Sequence, residues 1–189
     1  VNADPALNQT MTAEEFFAWA ESWQDGERYE LVQGRPVRLQ AERVSHAERK
    51  ASAWLAMRTA IRGAGLDRCR SFPDGVSIWV SDKAVRRPDV VVHYGPYDGD
   101  KVFAPNPIVA VEIISPSSVR TDVDRKLIDY FAVPSILHYL IVYGDEAKVV
   151  HHRRLVADGP ITTSILGRSD VIDLSPPGFS VTVEALLES

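Results

Sequence analysis

Apolar positions along the chain recur at two spacings, about 3.6 residues in some stretches and about 2 in others, which separates helices from half-buried strands. Phe16, Phe17, Trp19, Ala20 and Trp23 keep the first spacing and predict a helix over 12–23. Thr12 with Glu15 fits a capping box at its start, and Asp25-Gly26 stops it. Segments 28–32 and 36–39 flank Gln33-Gly34-Arg35 and predict a β-hairpin. A long helix follows, with Ser45 as cap and Glu48 three residues on. Its stripe is Ala47, Ala51, Trp54, Leu55, Arg58 and Ile61, and Gly63 and Gly65 end it. Strands are predicted over 68–72, 76–80, 89–93 and 108–114, with Pro73-Asp74-Gly75 and Ser81-Asp82-Lys83 as turns and 94–106 as a loop. Ser115-Pro116-Ser117-Ser118 ends a strand and caps a helix over 119–132, striped by Val119, Val123, Leu127 and Phe131 and closed by Pro134. Segments 136–143 and 147–154 make a hairpin across Gly144-Asp145-Glu146. Short strands and a last helical turn over 183–187 complete the chain.

Helices and strands are mixed without regular βα alternation. This disfavours a Rossmann or barrel plan and predicts an α/β sheet flanked by helices. Neither an internal repeat nor a linker divides it, so 12–189 reads as a single domain and 1–11 as a tail. The 189 residues, 45% hydrophobic and 25% charged, exclude disorder, collagen and a coiled-coil rod. The longest apolar runs, 108–114 and 137–143, are strand-sized and interrupted, far from the roughly 20 residues of a spanning helix, so no membrane partner is expected. A net charge of −5 argues against a protein that coats nucleic acid non-specifically, and leaves room for a locally basic cleft. The single Cys69 excludes an intramolecular disulfide and a multi-cysteine zinc site. With a polar, acidic N-terminus that lacks a signal-peptide pattern, it points to a reduced, cytoplasmic location.

Two strands hold the chemistry. Asp89 opens the apolar run Val90-Val91-Val92-His93, and Glu112 lies inside Ile108-Val109-Ala110-Val111-Glu112-Ile113-Ile114. The second run is apolar on both faces, as in a strand buried on both sides. A carboxylate there costs several kcal/mol unless it is paired or bound to a cation. Two hard oxygen donors on neighbouring strands suit Mg²⁺ or Mn²⁺. On the next helix Lys126 falls at the edge of the apolar stripe, where its ammonium can turn toward the strand ends. Plainer roles stay open: a turn hydrogen bond for Asp89, a structural ion pair for Glu112, pairing with Asp122 or Asp129 for Lys126, and an outward position in the hairpin for Glu30. His46 reads as a capping or surface histidine. His93 reads as a packing or hydrogen-bonding residue, and His151 and His152 point to opposite faces and cannot chelate one metal together. Trp19, Trp23 and Trp54 read as packing residues and Cys69 as an inert strand thiol. No G-x-S-x-G elbow, phosphate-binding glycine loop or zinc-protease motif is present.

Pro88-Asp89, then Val111-Glu112-Ile113-Ile114-Ser115-Pro116-Ser117-Ser118, then Asp122-Val123-Asp124-Arg125-Lys126-Leu127-Ile128-Asp129-Tyr130, together with Tyr29-Glu30-Leu31-Val32-Gln33-Gly34 and Ser45-His46, resemble the Uma-type branch of the PD-(D/E)XK nuclease superfamily. The resemblance spans 12–154. It implies a restriction-endonuclease-like mixed β-sheet flanked by helices, with a divalent metal, Mg²⁺ or Mn²⁺, held by Asp89 and Glu112. The residue two after Glu112 is Ile114 where the superfamily usually has lysine, so the resemblance assigns the lysine's role to Lys126, with Glu30 and His46 as further shell members. The implied activity is metal-dependent hydrolysis of DNA phosphodiesters by Asp89, Glu112, Lys126 and Glu30, in a homodimer. Arg43, Arg49, Arg86, Arg87 and Arg120 are the candidate contacts to the DNA backbone. The rival expectations are a nuclease-fold module that binds nucleic acid or protein without cleaving, and a structural domain whose acids are merely ion-paired.

Overall fold

The computed structural model describes residues 9–22, 27–114 and 123–188. Helix α1 (Ala13–Ser22) starts on the expected capping box: Thr12 N donates to Glu15 Oε2 at 2.7 Å, and Glu15 N donates to Thr12 Oγ1 at 3.2 Å. Strands β1 (Tyr29–Val32) and β2 (Arg35–Arg38) form the expected hairpin. Its loop is two residues, not three. Gln33 and Gly34 both take positive φ, 52° and 77°, as a two-residue turn between twisted strands requires, and Arg35 joins the strand. The turn docks tightly: Gly34 N donates to Lys83 O and Met11 N donates to Gly34 O, each at 2.7 Å.

Helix α2 (Val44–Gly63) begins one residue before the expected cap. Arg43 occupies the N-cap in extended conformation with no side-chain cap bond, so Ser45 lies inside the helix and does not cap it. Strands β3 (Cys69–Pro73), β4 (Ile78–Ser81), β5 (Ala84–Arg86), β6 (Val90–Tyr94) and β7 (Pro107–Ile114) follow. The sequence pattern omits β5, whose three residues are too few to show alternation. Helix α3 (Val123–Ala132) leads to β8 (His138–Tyr143), and a 3₁₀ turn, Gly144–Glu146, leads to β9 (Lys148–Arg153). Then come β10 (Thr162–Gly167), β11 (Val171–Leu174), β12 (Phe179–Thr182) and α4 (Val183–Leu187), whose cap is Thr182. Trp23, Asp25-Gly26, the Ser115–Ser118 cap, Val119, Arg120 and Asp122 lie outside the described residues.

Among the described residues the strands form three sheets, ordered β2-β1-β5-β4, β10-β9-β8-β7-β6-β3 and β11-β12. In the six-stranded sheet only β7 and β8 run parallel, joined through α3. β7 is buried on both faces. Val109, Val111 and Ile113 pack with Ala53, Met57 and Ile61 of α2, while Ala110 packs with Tyr130 and Phe131 of α3. Each Val, Ile, Met and Phe side chain among these contributes about 1.5–3 kcal/mol of burial. The four-stranded sheet and α1 enclose a smaller core of Met11, Ala13, Phe16, Tyr29, Leu31 and Val85. Among the described residues no helix is long and apolar enough to cross a membrane.

Candidate active site

Side chains alternate along β7, so Glu112 faces α3 with Ala110. Its Oε1 accepts from the Tyr130 hydroxyl at 2.5 Å, and its Oε2 lies 3.0 Å from Lys126 Nζ. Lys126 and Tyr130 stand one turn apart on α3, the spacing that puts two side chains on one helix face. Lys126 Nζ also lies 3.9 Å from Glu30 Oε1. Glu30, buried on β1, accepts from Arg87 N at 2.9 Å and pairs with Arg86 Nη1 at 2.8 Å. Arg86 continues to α3, where Nε donates to Asp129 Oδ2 at 2.8 Å and Nη2 lies 2.7 Å from the same oxygen.

Asp89 immediately precedes β6, beside β7. Its Oδ2 accepts from Ile113 N at 2.6 Å, and its Oδ1 lies 2.7 Å from Lys50 Nζ on α2. Lys50 also pairs with Glu42 and lies 3.2 Å from Asp74 Oδ2, and Arg28 pairs with the same two acids. The three sequence-predicted acids, Glu30, Asp89 and Glu112, are thus all buried, and each has a cation of the chain against it. Lys126 pairs across to Glu112, and Asp129 takes up Arg86 and Arg125 instead.

Electrostatics follow from burial. Desolvation pushes the Glu112 carboxyl up to about 7 against the pull of Lys126, and the charges of Asp89 and Glu30 push the same way. Burial drives the Tyr130 hydroxyl well above its usual range, with Glu112 adding to it. For Lys50 burial acts downward, but the carboxylates around it, Asp89 first, leave its pKa raised.

Of the remaining predicted residues, His46 makes no hydrogen bond to the three acids among the described residues, and its Nδ1 is buried without a partner. Arg86 is not a surface phosphate contact: it is 1% exposed and spent on Glu30 and Asp129. Arg49 pairs with Asp145 at 2.6 Å. Arg43 is exposed, and Arg87 is half-buried with its Nε unpartnered. His93 is buried and accepts from Asn106 N through Nδ1, the hydrogen-bonding role expected of it. The sequence reading missed Lys50, whose partners arrive from distant segments, and the bond from Tyr130, whose helical position beside Lys126 was the available signal.

The donor set fits a hard divalent cation in kind, since Asp89 and Glu112 offer oxygen ligands on adjoining strands. Among the described residues no group of three or more His, Cys, Asp or Glu side chains is gathered tightly enough to hold a metal. A cation held by Asp89 and Glu112 would take water and substrate oxygens for the rest of its shell, a common arrangement for Mg²⁺.

The family model Uma2, described as “Putative restriction endonuclease”, matches residues 13–184. The chain belongs to the Uma2 family. Among solved structures, a crystal structure of a protein from Anabaena variabilis, described as a putative nuclease, superposes on this Uma2 chain with a TM-score of 0.72. It shares 14% identity, and the match covers 94% of this chain and 97% of that one. At that identity the likeness is one of fold, and it bears out the restriction-endonuclease-like mixed sheet. No curated protein matches the chain in sequence. Family and fold make the Uma2 chain nuclease-like, a hydrolase in general class.

Proposed function

We propose that this Uma2 chain hydrolyses phosphodiester bonds of DNA with the help of Mg²⁺ or Mn²⁺ held by Asp89 and Glu112. The observation that carries this reading is the meeting of Glu112, Lys126 and Glu30 around one ammonium, with Asp89 on the adjoining strand. When bound there, a divalent cation supplies Lewis-acid charge for the attacking water and the phosphate oxygens. Ile113 N fixes one oxygen of Asp89, and Tyr130 fixes one oxygen of Glu112, so both carboxylates are oriented before substrate arrives. Lys126 then has two tasks within reach of its stem, to orient the attacking water and to balance the charge that grows on the phosphate. Glu30 and Arg86 hold Lys126 and α3 in register.

The test is nicking of supercoiled DNA in Mg²⁺ or Mn²⁺. Asp89→Ala and Glu112→Gln are each expected to lower the rate at least about 100-fold, and an unchanged rate in either variant removes the proposal. One observation favours a second reading, a module that binds nucleic acid or protein without cutting. Each oxygen of Asp89 and Glu112 already meets a donor of the chain: Lys50, Ile113 N, Tyr130 and Lys126. DNA binding with no nicking by the unaltered protein in either metal would select that reading.

A further inference from the structure

Away from the acids, α2, β3 and the loop between them line a cavity of about 320 Å³, within the size range of small-molecule sites. Three arginines, Arg58, Arg62 and Arg70, are among its lining residues, with an apolar floor that includes the buried Ile61 and Cys69. None of the three has a carboxylate within ion-pair distance among the described residues. Arg58 lies over the Trp54 ring at 5.3 Å, and Arg70 donates to the carbonyls of Asp67 and Cys69. Asp67 is the one acid on the wall, so positive charge is in surplus, in a chain whose net charge is −5. The wall also holds Ser71, which is 7% exposed and whose hydroxyl is buried with no hydrogen-bond partner. Such an orphan costs about 1–3 kcal/mol unless something outside the chain satisfies it. None of these residues belongs to the Asp89–Glu112 centre. Arg58 follows Lys50 by about two turns of α2, roughly 12 Å along its axis.

We infer that this cavity binds a nucleotide unit, its phosphate held by Arg58, Arg62 and Arg70, with the Ser71 hydroxyl bonded to it and its flat base against the apolar floor. Guanidinium pairs in forked geometry recognise phosphate, and Arg58 and Arg62, one turn apart, present two forks to the same side. The unit has two possible sources, a free mononucleotide or one residue of a bound strand, and the chemistry is the same for both.

Calorimetric titration of the full chain with deoxyadenosine monophosphate and with a short single-stranded oligonucleotide separates them. Binding of the mononucleotide, weakened about tenfold or more in Arg58→Gln/Arg62→Gln, identifies a free nucleotide. Binding of the strand alone, with the same loss and a salt dependence shallower by about one to two in log–log slope, identifies a strand residue. Failure of both probes to bind, or equal binding by the double variant, overturns the inference. Ser71→Ala, which removes the unsatisfied hydroxyl, is expected to weaken binding several-fold at an equal or higher Tm. A lower Tm with unchanged binding would give the hydroxyl a structural role and take it out of the site. Both titrations are run without divalent cation, so this result stands apart from the cleavage test.

Discussion

Arg86 is accommodated at 1% exposure because two carboxylates close on it, Glu30 from 56 positions away and Asp129 from 43. Removing one partner of such a pair strands the others without compensation. Arg86→Met is therefore expected to cost about 3–5 kcal/mol, read from urea unfolding midpoints. A loss under about 1 kcal/mol would show that α3 is held without it. The same residue marks the limit of reading a site from sequence. Glu112 was legible because an acid within an apolar strand has no inexpensive place to go. Lys126 was legible because helical spacing sets it on the border of an apolar stripe. Arg86 reads from the sequence as a candidate contact to the DNA backbone, and Lys50 is not singled out at all. Their environments come from partners that only tertiary pairing supplies.

Among the elements, the β8–β9 hairpin holds a pair of buried imidazoles. His138 Nδ1 and His151 Nε2 are 2.9 Å apart, and His138 Nε2 lies 2.7 Å from Pro176 O, so Nε2 donates to the carbonyl and His151 donates to Nδ1. The contact ties the loop between β11 and β12 to the main sheet. Burial lowers both residues to about 4, with Arg153 adding to it for each and Asp173 opposing. His152, on the other face, is lowered by burial as well and bonds Thr163. The sign follows from where the protons bind. Below about 6.5 the unfolded chain takes up protons that the folded pair refuses, so stability is full above that pH and falls as the pH drops toward 4. Urea midpoints between pH 7.5 and 4.5 are expected to drop by the equivalent of a few kcal/mol. His138→Gln/His151→Gln should flatten that slope, and an unaltered slope in the double variant would place the titrating groups elsewhere. At this scale the sequence pattern located α1, the first hairpin and α4 closely, because capping and turn residues are local. It missed β5, which exists as a strand only because β1 and β4 flank it.

At the level of the molecule, the mixed order of helices and strands foretold an α/β sheet. Its division into a four-stranded and a six-stranded sheet was not legible. Pairings such as β1 with β5 and β3 with β6 join segments that are not neighbours in sequence, and turn chemistry says nothing about them. The acids of the centre come from two sheets, Glu30 from the four-stranded and Glu112 from the six-stranded one, and Asp89 stands just before β6, an interior strand of the latter. Lysine and arginine groups of the chain already balance them. A strong chelator is therefore expected to move Tm by less than about 2 °C, unlike small zinc domains that unfold without their ion. Saturating Mg²⁺ should raise Tm only by mass action, and a drop of about 10 °C or more in chelator would show that an ion holds the fold together. On the proposed mechanism, ion supply then governs how many copies work at a given moment, while the number that survive is set by the polypeptide alone.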